Sequence, residues 1–425
     1  MVLLNLSRYC FLWLAIAIFI ALMLNARHAC ADAGDTFNAT VGSTLMYDSN
    51  VFRMAPSTPS DSLTGKPMKS DEVITSTATL SLNKLYGMQR FEASGSLVDN
   101  RYHNFNFLNF IAKNYNAAWA WYLTPYLHGN LSSTHKEALQ NFGNLTGFVN
   151  SSNKNIRTDE MHRFDGVFEL NRSLHVIGGV SESVLRNSRL TTQDFDNTVL
   201  SFEGGIRYVL PSGSSLTYKA KIGRGDFFKR PAPIGGPTFF DTRFDDMEHE
   251  IKLSWFVTGK TSIDARAGHF ERKYAHFSQR NYSGFIGNFN VNWAITDKTR
   301  LIASWARDLS NFQTGNNFQN SLFFQLYSSS YVSSNRFSLA PVWQITEKTA
   351  LRLRYEYSMR DYLGPVLSLP DSRQDSTHSG QISLDWQPMR AISLSALLQR
   401  DHRSSNLKGY DYDNIAGSIS ARLNF

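Results

Sequence analysis

The sequence predicts an all-β protein: a transmembrane, antiparallel, up-and-down β-barrel of about 18 strands (16–18) behind a cleaved signal peptide. Three observations predict it. The chain begins with a secretory leader, its remainder alternates apolar and polar residues, and the links between the alternating runs are short and long by turns.

The leader comes first. Arg8 precedes the apolar run "CFLWLAIAIFIALML", and Ala29-Cys30-Ala31 fits a small-x-small cleavage site. Residues 1–31 are therefore expected to be the signal peptide and 32–425 the barrel. Both cysteines, Cys10 and Cys30, would leave with the leader, so disulfides and Cys-ligated metals are not expected. The remainder would hold 41 basic against 36 acidic side chains. Mean hydropathy is negative although aromatics make up 13% of the chain. No later stretch approaches the ~18 consecutive apolar residues of a membrane helix. That combination suits a barrel, in which half of each strand faces water.

The alternation is explicit in "LRLRYEYSMR" (351–360). Leu351, Leu353, Tyr355, Tyr357 and Met359 share one face, and Arg352, Arg354, Glu356, Ser358 and Arg360 the other. "MEHEIKLSWFV" (247–257) and "FIGNFNVNWAI" (285–295) repeat the pattern. Eighteen runs are expected near 36–47, 73–85, 89–103, 111–123, 126–135, 159–170, 174–186, 197–210, 215–226, 245–257, 261–275, 282–295, 299–310, 331–345, 349–361, 376–386, 391–403 and 411–425. Eight tight links alternate with nine long ones, which a soluble sandwich or propeller would not show.

One motif marks the tight links. "WFVTGKTSI" (255–263), "WAITDKTRL" (293–301) and "WQITEKTAL" (343–351) each place a Trp just before a polar turn; "WQPMRAISL" (386–394) is a looser copy, and Trp121 precedes "LTP" likewise. An indole has an apolar body and one N–H donor, which suits the hydrocarbon–headgroup boundary. Trp121, Trp255, Trp293, Trp343 and Trp386 are thus expected to form a periplasmic aromatic girdle.

On the opposite face the chain places Arg207, Lys219, Lys221 and Lys252, with Arg266, Arg352 and Arg354. In a barrel of this size that face would line a water-filled lumen. A modestly basic lining favours anionic or polar solutes; mixed charges that merely hydrate the wall are the plainer reading. Loops such as "NFNFLNF" (104–110), "PTFFDTRF" (237–244) and "NFQTGNNFQNSLFF" (311–324) carry aromatics among amides, a composition open both to sugar stacking and to loop packing.

Signs of catalysis are sparse. "HFS" (276–278) has a His-x-Ser spacing, but no partner acid can be placed from the sequence, and HExxH, GxSxG and P-loop motifs are absent. The acidic run Asp241, Asp245, Asp246, Glu248, Glu250 lacks EF-hand spacing. Neither catalytic residues nor a cofactor or metal are expected, and export excludes nucleic acid as a partner.

The chain ends in "DNIAGSISARLNF", an alternating strand closing on Phe425, which resembles the signal read by the outer-membrane barrel assembly machinery. "YDSNVFR" (47–53) follows the first strand. With the Trp repeats and Phe425, it resembles the outer-membrane β-barrel porin family, and within it the EpsL type associated with exosortases and exopolysaccharide synthesis. The resemblance implies a Gram-negative outer-membrane location among lipid and lipopolysaccharide. It also implies exopolysaccharide passage or biosynthesis, with periplasmic export proteins as partners. It supplies no catalytic residues. A general diffusion porin for small solutes is the alternative, and a hydrolase resting on Ser278 the remaining one.

Overall fold

The computed structural model describes residues 36–144, 154–230, 241–311, 329–365 and 372–425. The expected signal peptide, 1–31, lies outside the described residues.

Eighteen antiparallel strands close into one ring. In chain order they are β1 Phe37–Asp48, β2 Asp71–Tyr86, β3 Gln89–Tyr102, β4 Phe110–Thr124, β5 Leu127–Leu139, β6 Ile156–Glu169, β7 Leu174–Asn187, β8 Asn197–Val209 and β9 Ser215–Asp226. The second half comprises β10 Arg243–Thr258, β11 Thr261–Tyr274, β12 Tyr282–Ala294, β13 Thr299–Asn311, β14 Ser329–Thr346, β15 Thr349–Pro365, β16 Gln374–Met389, β17 Ile392–Ser405 and β18 Tyr412–Asn424. Each strand pairs with its sequence neighbours, and β1 pairs with β18 from Thr40↔Asn424 to Asp48↔Ala416. Closure satisfies the backbone groups that an open sheet edge would expose.

Alternation decides which side chains face in. One cavity of about 790 Å³ is lined by Ser94 of β3 and Arg272 of β11. Strands so far apart in the ring meet only across its interior, so this parity is the inner one. The opposite parity carries Leu80, Phe202, Ile222, Trp255, Phe337 and Ile419, all exposed. Such a continuous apolar exterior far exceeds the patch a soluble monomer shows and needs lipid as its solvent.

The Trp–turn repeats have a common local cause. In each Thr-x-Lys turn the Thr hydroxyl accepts the backbone N–H of the Lys: Thr258 from Lys260 (3.1 Å), Thr296 from Lys298 (3.2 Å) and Thr346 from Lys348 (3.2 Å). The β4–β5, β10–β11, β14–β15 and β16–β17 hairpins shift register within a few residues of their Trp. The repeat thus encodes a hydroxyl-closed turn, joined to a bulge in β10–β11 and β14–β15 but not in β12–β13, which reverses the chain in a fixed register.

At the other end the long links pack on one another. A short helix, α1 (Ser60–Thr64), interrupts the first link, where the sequence pattern shows no helical periodicity. Phe52, Met54, Phe105, Leu108 and Phe142 cluster there, with Phe105 and Leu108 fully buried. Phe52 meets Phe105 edge-on at 4.8 Å. The aromatics of 104–110 are therefore largely spent on loop packing, not presented to a sugar. Residues 237–240 and 312–324 of the other two loops lie outside the described residues; Phe244 is 2% exposed.

Candidate functional site

Strands β6 and β8–β12 present their inner residues to a cavity of about 750 Å³. Six cations and five carboxylates line it: Arg163, Arg207, Lys219, Lys221, Lys252 and Arg266 against Asp165, Glu203, Glu248, Glu250 and Asp264. Most of the acids are bound in one chain of ion pairs. Arg163 holds Asp165 at 2.7 Å and also Glu203. Lys219 joins Glu203 (3.2 Å) to Glu250 (2.9 Å), and Arg266 joins Glu250 to Glu248. Asp264 accepts from the Ser254 hydroxyl at 2.7 Å.

Register produces this chain. Lys219↔Glu250 are direct cross-strand neighbours, and Glu203↔Lys221↔Glu248 form the next row, whereas Lys252 faces the like-charged Arg266. Opposite charges on adjacent inner positions pair across the ladder. Three cations remain outside it: no carboxylate lies within 4.0 Å of Arg207, Lys221 or Lys252 among the described residues. The chain holds four carboxylates with three cations and Asp264 has no cation, so six cations against five carboxylates leave this wall a net charge of +1, with its unpaired positive charge at these three.

Of the seven basic residues singled out in the sequence, the structure brings together five on this cavity. Arg352 and Arg354 stand apart on β15, paired with Asp385 (2.7 Å) and Glu356 (2.6 Å). Arg163 and Asp165 were missed. They occupy the polar parity of β6 opposite Phe164, a signal the alternation already carried.

The Trp residues share one position but not one environment. Trp255, Trp293, Trp343 and Trp386 are 45–49% exposed. Trp121 is 7% exposed: it stacks on Phe164 at 5.5 Å over Gly129 and Gly166, whose missing side chains leave room for the indole. Phe425 exchanges both backbone hydrogen bonds with Ala39 (3.0 and 2.7 Å), and Leu423 beside it is fully buried. The terminal residue thus helps close the ring.

The His-x-Ser segment needs a correction. An acid is present: Asp241 accepts His276 Nδ1 at 3.0 Å and the backbone N–H groups of His276 and Phe277. Burial would raise the Asp241 carboxyl, but the hydrogen bonds from His276, Arg243 and Phe277 outweigh it and hold the group below the usual carboxylate range. No hydrogen bond joins Ser278 to His276 among the described residues. The same device recurs without His or Ser, where Asp71 accepts the N–H groups of Asn104 (2.7 Å) and Phe105 (2.8 Å). Asn109 then takes the Tyr102 N–H and Asn281 the Tyr274 N–H, both at 2.7 Å. This is a loop staple used twice. Beside it, burial pushes the Arg230 guanidinium down to about 10.

"YDSNVFR" is also structural. Arg53 grips both oxygens of Asp48 at 2.8 and 2.9 Å. Asn50 bonds Met54 and Asp413, while Phe52 joins the buried cluster.

Residues 254–425 match the family described as "Putative beta-barrel porin 2". Among solved structures, Acinetobacter baumannii OccAB3 aligns with 92% of this chain and 99% of its own, at a TM-score of 0.50 and 8% identity. The fold is a porin-like barrel. Pseudomonas aeruginosa OccK1 (OpdK) covers the same shares at 9% identity and a TM-score of 0.48. A BenF-like porin from Pseudomonas fluorescens Pf-5 covers 92% and 98%, at 10% identity and 0.48. No curated protein matches the sequence.

Proposed function

We propose that this protein is an outer-membrane channel of a Gram-negative bacterium that passes small polar solutes, anions more readily than cations. The apolar exterior supports the membrane setting, and the match of residues 254–425 supports a porin role. One observation carries the selectivity: six cations outnumber five carboxylates on the inner cavity, and Arg207, Lys221 and Lys252 have no carboxylate within 4.0 Å among the described residues. A permeating anion meets a net positive wall and a cation is repelled by it.

Passage of exopolysaccharide is the finer reading that the resemblance suggested. The resemblance drew on Tyr47–Arg53 with the Trp repeats and Phe425, and the loop aromatics suited a sugar separately; Tyr47–Arg53 and the aromatics of 104–110 have structural duties here. Small-solute diffusion is therefore preferred.

Reversal potentials across planar bilayers in a salt gradient test the proposal. The expected result is a conducting pore with anion preference, shifted toward cations by Lys221→Glu with Lys252→Glu. A folded protein that does not conduct, or a selectivity indifferent to both substitutions, would overturn it. Adding oligosaccharide in the same bilayer separates the readings, because block by sugar but not by small anions would favour polymer passage.

A further inference from the structure

A lipid-facing wall should be apolar, and on four consecutive strands this one is not. Pairing without register shifts puts Ser133, His135 and Glu137 of β5, His162 and Glu160 of β6, and Glu182 and Arg186 of β7 on the outer parity. They share that parity with Leu131, Phe164 and Val180. Tyr115 of β4 stacks on His135 at 5.4 Å from the same side. His135, His162 and Glu182 lie seven or eight residues from the short-turn ends of their strands. At that height β8, β9, β14 and β15 carry Phe202, Ile222, Phe337 and Tyr357. Elsewhere polar outer residues at this height stand singly, such as Arg400, or in cross-strand pairs, such as His249↔His269 and Arg307↔Asn335.

The patch is organised. His135 Nδ1 meets Glu160 at 3.0 Å, Arg186 meets Glu160 at 3.2 Å, and Ser133 meets His162 at 3.0 Å. Glu182 is exposed and has no partner among the described residues. Ionised groups against acyl chains are unfavourable, so a polar surface should cover them.

We infer that β5–β7 form the contact face of a parallel homodimer whose two-fold axis runs along β6. Two copies in one membrane stand parallel, and a two-fold about the membrane normal sets β5 of each copy against β7 of the other. That operation places His135 opposite Glu182, both eight residues from their strand ends. Each contact occurs twice, so opposite signs meet. Four strands ~4.8 Å apart across a belt ~25 Å tall offer about 500 Å² per copy, or about 1,000 Å² in total, which reaches the size of a specific interface. The parallel arrangement rests on the membrane reading above; fractionation of the same cells reports that point separately.

A cysteine on the axis provides the test, because a residue of β6 faces its own counterpart. The full chain with His162→Cys is treated in outer-membrane preparations with a short thiol cross-linker, beside Phe337→Cys at a similar height on β14. Heat-dependent gel mobility confirms that both variants fold. A dimer band at least about fivefold stronger for His162→Cys is expected. If His162→Cys misfolds, Glu182→Cys paired with His135→Cys in a mixture of two tagged chains reads the same contact. Equal bands, no dimer in a folded variant, or cross-linking only to a different protein would overturn the inference.

Discussion

Replacing Arg53 should loosen the first long link by an amount that depends on the replacement. Arg53 donates to both oxygens of Asp48, and the two side chains are 20% and 9% exposed. Removing the guanidinium leaves a mostly buried carboxylate without its cation. Buried pairs broken from one side cost ~3–5 kcal/mol, and the partial exposure here reduces this to about 2–3 kcal/mol. Arg53 also has φ +54°, the left-handed region that a side chain disfavours and glycine does not. Arg53→Ala keeps that strain, whereas Arg53→Gly recovers about 1 kcal/mol of it. The assay is hydrogen exchange at the amides of Asn50, Val51 and Met54, which donate to Asp48, Lys69 and Asn50. At ~1.4 kcal/mol per tenfold, local exchange should accelerate about 30–150-fold in Arg53→Ala and about 5–30-fold in Arg53→Gly. Glycine as fast as alanine would refute the strain argument. Unchanged exchange in both would refute the ion-pair argument.

Other consequences follow from the same geometry. Glu203→Gln removes the acid shared by Arg163 and Lys219, so the anion-to-cation permeability ratio should rise about two- to threefold in bilayer recordings. A carboxyl held below its usual range stabilises above its unfolded value of ~3.9 and loses that effect as pH falls through the depressed one. The His276 and Phe277 amides, held by Asp241, should therefore stay protected through mildly acidic pH and open only in stronger acid, while Asp241→Asn exposes them at neutral pH. Gly129→Ala would set a methyl 2.0 Å from the Asp165 carbonyl oxygen and 2.6 Å from Trp121, costing about 2 kcal/mol or more. Gly204→Ala, with nothing within 4 Å, should be nearly neutral in the same urea titration of vesicle-embedded protein.

Architecture was largely legible because a barrel strand writes its two environments directly into sequence. Leu351 to Arg360 alternate without a break, and β9 spans 215–226 in both readings. Boundaries moved where the rule weakens. β15 runs on to Pro365 and β6 begins at Ile156, because pairing to a neighbour (Tyr331↔Leu363, Leu139↔Ile156) continues past the end of the regular alternation. The candidate site was legible only by parity. Arg207, Lys219, Lys221, Lys252 and Arg266 could be assigned to one face, but alternation cannot tell a paired cation from a free one.

By itself, the sequence determined the strand number to within 16–18, the ring's two faces and the Thr-x-Lys turns, since each depends on residues within one strand or one turn. Tertiary structure decided what depends on register between strands. It set Lys219 between Glu203 and Glu250 and left Lys221 and Lys252 outside the ion-pair chain. It turned "YDSNVFR" and "HFS" from candidate motifs into loop staples, and it gathered His135, Glu160, His162 and Glu182 on the lipid face. A one-residue change of register would reverse every one of these assignments while leaving each strand's own pattern intact.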